Sequence, residues 1–192
     1  MVLTSRFRDA LMFAAQLHAN QVRKGGSVPY VSHLLAVTST VLDNGGDEEE
    51  AIAALLHDAI EDQGGKETRE KIRQLFGDRV VDIVDGCTDA DTLPKPPWRW
   101  RKEKYLAHLR NAPPSVRLVS LADKLHNARS VLADYREMGD QVWERFKGGR
   151  EGTLWYYHEL KDIFEALDSS ALSREFVSVV SELERLTGAR TG

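Results

Sequence analysis

The stretch AALLHDAIED, Ala53 to Asp62, sets His57, Asp58, Glu61 and Asp62 into a run that otherwise reads as the apolar face of a buried helix. An unpaired ionised carboxylate inside a core costs several kcal/mol, so these four side chains need a reason. Residues four apart share a helical face, which aligns His57 with Glu61 and Asp58 with Asp62, while His57 and Asp58 diverge by only ~100°. In one continuous helix all four face a common cavity. Two readings stand at this point: a solvated helix end, or a site that holds a compensating cation.

Working outward, apolar residues recur at helical spacing almost throughout, without a convincing alternating strand pattern. The spacing predicts an all-α, compact, multi-helix bundle. A first helix starts after the Thr4-Ser5 cap and carries Leu11, Ala14, Ala15 and His18 on related faces. A second runs near Ser32 to Leu42 and stops at DNGG. The third begins around Asp47, contains the opening motif and closes at Gly64-Gly65. Two short helices follow, separated at Gly77, and then DADTLPKPPW breaks the pattern with three prolines as a loop able to move. A charged helix over Trp98 to Arg110, a long one over Ser115 to Glu137 and two more reaching Leu186 complete the prediction.

At 192 residues the chain is read as a single domain over 1–192, with a motif-bearing core over about 5–160 and packing helices over about 161–190. Hydrophobic residues at 42% and charged residues at 29% suit a globular protein and exclude a disordered one. A formal net charge of -4 argues against nucleic acid as a partner through bulk positive charge, so any anion site is local. The lone Cys87 cannot form an intrachain disulfide and reads as a small buried side chain. The apolar run Ala51 to Leu56 has six residues against the ~20 that span a bilayer, and the N-terminus lacks the apolar core of a signal peptide. The expectation is a soluble cytoplasmic protein with no membrane partner; oligomeric state is not legible.

Two further segments bear on the opening motif. PYVSHLLAV places His33 at the start of an apolar helix, and LVSLADKLHNAR places Asp123 and Asn127 one turn apart in another. His33, His57, Asp58 and Asp123 together supply two imidazoles and two carboxylates, a mixed set suited to Mn²⁺, Fe²⁺ or Zn²⁺ that leaves positions for water. An open metal position polarises phosphoryl oxygens and generates hydroxide near neutral pH, which is hydrolytic chemistry.

His33, the adjacent pair His57-Asp58 and the later Asp123 resemble the H…HD…D signature of HD-domain metal-dependent phosphohydrolases. More narrowly, QVRKGGSVPYVSHLLAV, ALLHDAIED and LADKLHNAR resemble the hydrolase domain of RelA/SpoT-type alarmone enzymes, over most of Phe13 to Arg129. The resemblance implies a helical domain that binds one Mn²⁺ and removes pyrophosphate from the 3′ position of guanosine 3′,5′-bis(diphosphate) and guanosine pentaphosphate, leaving GDP or GTP. It implies His33, His57, Asp58 and Asp123 as metal ligands, and Glu61 and Asp62 as the acid pair that activates water. With no room for the synthetase and regulatory domains of the long members, the expectation is a stand-alone hydrolase. The alternatives are an HD-type hydrolase of another nucleotide and a non-catalytic nucleotide-sensing module.

So anionic a substrate requires convergent cations. The resemblance assigns Arg23 and Lys24 to the purine and phosphates, and Asn127 to ribose or base. Arg101 and Lys102, in the interleaved segment KPPWRWRKEKYLAHL, are expected to wall the 5′-diphosphate, and Arg150 to complete the pocket. The same interleaving of aromatic and basic residues also fits a nucleic-acid surface, the less favoured reading in an acidic protein. His126, about 60° from Asp123 on the helical wheel, is expected to be structural, His18 to back the loop, and Trp155, Tyr156 and Tyr157 to belong to the core.

Overall fold

The structure, a computed structural model, describes residues 2–90, 92 and 94–188. Its helices are α1 (Ser5–Leu17), α2 (Val31–Asp43), α3 (Glu48–Leu56), α4 (Ala59–Asp62), α5 (Lys66–Phe76), α6 (Asp78–Cys87), α7 (Trp98–Leu109), α8 (Pro114–Met138), α9 (Gly149–Leu167) and α10 (Ala171–Thr187). Among the described residues there is no β-strand, only one isolated bridge between Val22 and Pro29. The all-α expectation holds. The DADTLPKPPW segment is non-helical up to Trp98, with Asp91 and Leu93 outside the described residues.

Local chemistry sets where these helices begin and end. Thr4 caps α1, its hydroxyl accepting from the Arg6 N–H. At the start of α3, Asp47 accepts from the Glu50 N–H at 2.9 Å while the Glu50 carboxylate accepts from the Asp47 N–H at 2.8 Å, a reciprocal capping box. Three consecutive glutamates in that first turn favour the positive end of the helix dipole. The 3₁₀ segment Gly139–Arg145, between α8 and α9, lies where no separate helix was expected.

Ala51 to Leu56 are all buried, because α3 runs through the middle of the molecule against α1, α2, α6 and α8. Central α8 packs on α2, α6 and α10, and one hydrophobic core runs from Ala10 to Leu183. The expected continuous third helix is not formed. α3 stops at Leu56, His57 and Asp58 make a turn with Asp58 at ψ -2°, and α4 resumes at Ala59. The interruption lies in the interior, so the His57-Asp58 pair is delivered to the centre of the fold.

Close packing of α6 on α8 depends on Gly86. A Cβ there would meet the Val116 methyls at 2.6 and 2.8 Å in a buried contact. Gly86→Ala gains up to ~1 kcal/mol of helix propensity but suffers overpacking of about 1–3 kcal/mol, so the net effect is destabilising. Chemical denaturation of Gly86→Ala, Val116→Ala and the double variant should show favourable coupling of about 1 kcal/mol. Strict additivity would contradict this packing.

Candidate active site

The interruption after α3 aims His57 inward. Its Nδ1 lies 2.8 Å from the Ala54 carbonyl, one of the oxygens a helix C-terminus leaves unpaired, so Nδ1–H donates there and Nε2 faces the cluster. His33, in the first turn of α2, sits with its Nε2 3.3 Å from His57 Nε2. Asp58 Oδ2 lies 3.0 Å from His57 Nε2 and 3.6 Å from His33 Nε2. From α8, Asp123 Oδ1 lies 3.2 Å from His33 Nε2 and 3.6 Å from His57 Nε2. Four donor atoms from three parts of the chain therefore converge on one point.

Donors that share an ion at about 2.0–2.2 Å stand roughly 3.0–3.6 Å apart, and each carboxylate stands in that range from both imidazoles, as the imidazoles do from each other. His33, His57 and Asp58 satisfy the spacing of a metal-binding group, with Asp123 directly against both imidazoles. The chemistry of the set and its burial fit a divalent cation, and a nitrogen-oxygen set of this kind does not select among Mn²⁺, Fe²⁺ and Zn²⁺.

Charges without an ion point the same way. Burial disfavours the imidazolium of His57, but the Asp58 and Asp123 carboxylates outweigh it and hold its pKa well above the ordinary value. Burial likewise opposes the carboxylates of Asp58 and Asp123; His57 on the first, and Lys124 with the imidazoles on the second, hold both well below the ordinary range. Lys124 Nζ is 2.6 Å from Asp123 Oδ2, away from the imidazoles. Two carboxylates, Lys124 and one imidazolium sum to neutrality. A divalent ion in place of the proton leaves the centre positive.

Residues around the donors fix their direction, as outer partners of metal ligands generally do. Tyr30 donates its hydroxyl to Asp58, and Asn127 donates to Asp123 Oδ1. His126 is more than a structural bystander: its Nδ1 lies 2.8 Å from His33 Nδ1. Burial, then the neighbouring His33 and Arg23, push the His126 pKa down to about 4, which suits an unprotonated acceptor that keeps the proton on His33 Nδ1 and its Nε2 lone pair free. Wheel geometry missed this role because His126 acts through another histidine.

Above the buried imidazoles opens a cleft of about 710 Å³, with Asp58 and Asp123 in its floor and Glu61 and Asp62 on one wall. Lys95 Nζ contacts Glu61 Oε1 at 2.8 Å and lies 3.6 Å from Asp62 Oδ1. Burial, then Asp89, raise the Glu61 pKa against the pull of Lys95. Arg23, Lys24, Lys95, Arg101, Lys102, Lys124, Arg145 and Lys147 line the same space, eight cationic side chains against five acidic ones. The Lys24 ammonium is held below its ordinary pKa by burial and then by Lys102, the condition of a cation awaiting an anion.

The basic residues arrive by different routes. Arg23 donates to Asn127 Oδ1 at 2.8 Å, joining the glycine loop to α8. Arg101 is buried rather than on a wet helix face, held with Lys102 by the carboxylate of Asp89. Arg150 is not brought to the cleft. It donates to the Thr187 carbonyl at the end of α10, and Arg145 lines the cleft instead, lying against Gly25 with its guanidinium 2.8 Å from Asp134. The 3₁₀ segment carrying Arg145 was invisible to helical periodicity, which explains the substitution of one arginine for the other. Tyr156 and Tyr157, expected in the core, are buried yet also line the cleft, and the Tyr156 hydroxyl has no partner among the described residues.

Residues 10–154 match the HD domain family. The chain belongs to the HD-domain family. Among relatives, it is 40% identical over 126 residues to a guanosine-3′,5′-bis(diphosphate) 3′-pyrophosphohydrolase MESH1 of Xenopus tropicalis, covering 64% of this chain and 68% of the relative. It is 36% identical to the protein of that name from Danio rerio, over 76% of this chain and 86% of the relative. Its fold superimposes on the solved structure of a metazoan SpoT orthologue, described as hydrolysing ppGpp, with a TM-score of 0.74 and 26% identity over 99% of each chain. Among the described residues of this HD-domain protein, no helix is long and apolar enough to cross a membrane.

Ion binding through His57 Nε2 requires that imidazole to be neutral, whereas Asp58 and Asp123 hold its pKa well above the ordinary value. Divalent-metal uptake at pH 7 should therefore release about one proton, and affinity should rise as pH increases toward the elevated His57 pKa. Titration calorimetry of Mn²⁺ in buffers of different ionisation enthalpy measures the proton count. Uptake with no proton exchange would show that His57 is already neutral.

Proposed function

We propose that this HD-domain protein is a metal-dependent 3′-pyrophosphohydrolase of guanosine 3′,5′-bis(diphosphate) and guanosine pentaphosphate, working as one domain over its whole length. The observation that carries the reading is the junction of the His33–His57–Asp58–Asp123 cluster, its two imidazoles buried, with a cleft lined by eight cationic side chains. One end of that cleft suits a metal-assisted phosphoryl reaction and the rest suits a polyanion. The names and coverage of the MESH1 relatives supply the substrate.

His33, His57, Asp58 and Asp123 would hold the ion, for which we propose Mn²⁺. When bound, such an ion polarises a phosphoryl oxygen and lowers the pKa of water. Glu61 and Asp62, on the wall beside Asp58, orient the attacking water and take its proton; Lys95 fixes Glu61 for that task. Water adds its oxygen to the 3′ phosphorus, the bond between that phosphorus and the ribose 3′ oxygen breaks, and the departing oxygen takes up a proton. Products are pyrophosphate and GDP, or GTP from the pentaphosphate.

Arg23 and Lys24 project from the glycine loop toward base and phosphates, and Asn127 offers its amide between Arg23 and Asp123. Arg101 and Lys102 bear on the 5′-diphosphate. Their pairing with Asp89 holds two long cationic side chains in place before substrate arrives, reducing the entropy lost on binding. The proposed partner is thus a guanine nucleotide.

Metal-loaded protein should release pyrophosphate from either alarmone, lose that activity on chelation and regain it with Mn²⁺. Glu61→Gln and Asp62→Asn should each lower kcat by roughly 10²-fold or more with metal content unchanged, the scale of a lost general base. Product chromatography and metal analysis measure both. Absence of pyrophosphate from the loaded protein, or faster cleavage of ordinary nucleoside monophosphates, would overturn the reading.

A further inference from the structure

Gln21 belongs neither to the donor cluster nor to the cationic wall, yet its carboxamide is engaged at both ends. Nε2 donates to Asp62 Oδ2 at 2.9 Å. Oε1 accepts from Gln63 Nε2 at 2.7 Å and from His18 Nδ1, also at 2.7 Å. Reversing the amide would turn Oε1 toward a carboxylate and Nε2 toward two donors, so only one orientation satisfies the network.

The backbone of Gln21 is fixed as well. Its N–H donates to the His18 carbonyl at 3.0 Å, and its carbonyl accepts from the Tyr30 N–H at 2.9 Å. Tyr30 in turn donates its hydroxyl to Asp58 and stacks on the buried ring of His18, with centroids 5.2 Å apart. Among the described residues His18 Nε2 has no partner, which leaves Gln21 as the sole polar contact of that ring. One residue thus touches the metal-facing Asp58 through Tyr30 and the wall acid Asp62 through its own side chain.

The two wall acids are held by different donors, Glu61 by Lys95 and Asp62 by Gln21. Lys95 sits at hydrogen-bonding distance from Glu61 but 3.6 Å from Asp62, so Gln21 is the one side chain that donates a hydrogen bond to Asp62 among the described residues. Without it the half-exposed carboxylate is free to rotate away from the cleft floor.

We propose that Gln21 is a positioning residue: it holds Asp62 at a fixed angle to Asp58, coupling the water-handling acid to the donor cluster. The proposal rests on the hydrolase reading above. It assigns no chemistry to Gln21 itself and adds no step to the reaction.

Two variants test it in the metal-loaded full chain. Gln21→Met keeps the side-chain length and removes every polar contact, whereas Gln21→Glu keeps an acceptor for His18 and Gln63 but replaces the donor facing Asp62 with a carboxylate oxygen. Both should lose on the order of ten- to a hundredfold in kcat per bound metal, the scale on which outer partners act, with KM within about threefold and Mn²⁺ affinity within about threefold. A role limited to folding would instead lower melting temperature and metal-bound fraction while leaving kcat per bound metal intact. Wild-type kcat per bound metal in either variant overturns the proposal. An inactive wild type overturns the hydrolase reading itself, so the two failures are distinguishable.

Discussion

Two carboxylates and two imidazoles share one small volume in the middle of this molecule, and the rest of the fold answers to the cost of putting them there. Asp58 and Asp123 both bring oxygens within 3.6 Å of the same pair of Nε2 atoms. Removing ions from water costs several kcal/mol each unless geometry and hydrogen bonds compensate. Compensation is visible on every side: Tyr30 on Asp58, Lys124 and Asn127 on Asp123, Ala54 on His57 and His126 on His33. Each partner stabilises a donor and also sets its direction.

The architecture that delivers these groups is an interrupted helix. A capping box anchors α3, six consecutive buried residues carry it through the core, and the break at His57-Asp58 turns two adjacent side chains toward one point. The polar half of the motif divides along that break. His57 and Asp58 belong to the floor, while Glu61 and Asp62, on α4, belong to the wall with Lys95. Replacing a proton by a divalent ion changes the floor from neutral to positive, matching the cationic surplus of the cleft and the polyanion proposed to enter it.

Much of this was legible in the sequence because apolar periodicity records burial directly. The all-α class, the helices around Gly77 and the long helix over Ser115 to Glu137 all lie close to their observed bounds. His33, His57, Asp58 and Asp123 were readable as a set because two imidazoles and two carboxylates in apolar surroundings need a common cause. Features that depend on tertiary contacts were not readable. Periodicity continues through His57-Asp58, so it could not reveal the break, and it has no signature for the 3₁₀ segment that brings Arg145 rather than Arg150 to the cleft. His126 and Lys124 act through their contacts with His33 and Asp123, a relation no spacing rule encodes.

The central claim is that His33, His57, Asp58 and Asp123 close on a single divalent ion. Anomalous diffraction at the manganese edge, from crystals of the protein grown with Mn²⁺, tests it without reference to activity. The account predicts one strong peak bounded by His33 Nε2, His57 Nε2, Asp58 Oδ2 and Asp123 Oδ1, each at about 2.0–2.3 Å. A peak held by Glu61 and Asp62 instead, or a fully ordered cluster with no peak at saturating Mn²⁺, would contradict it.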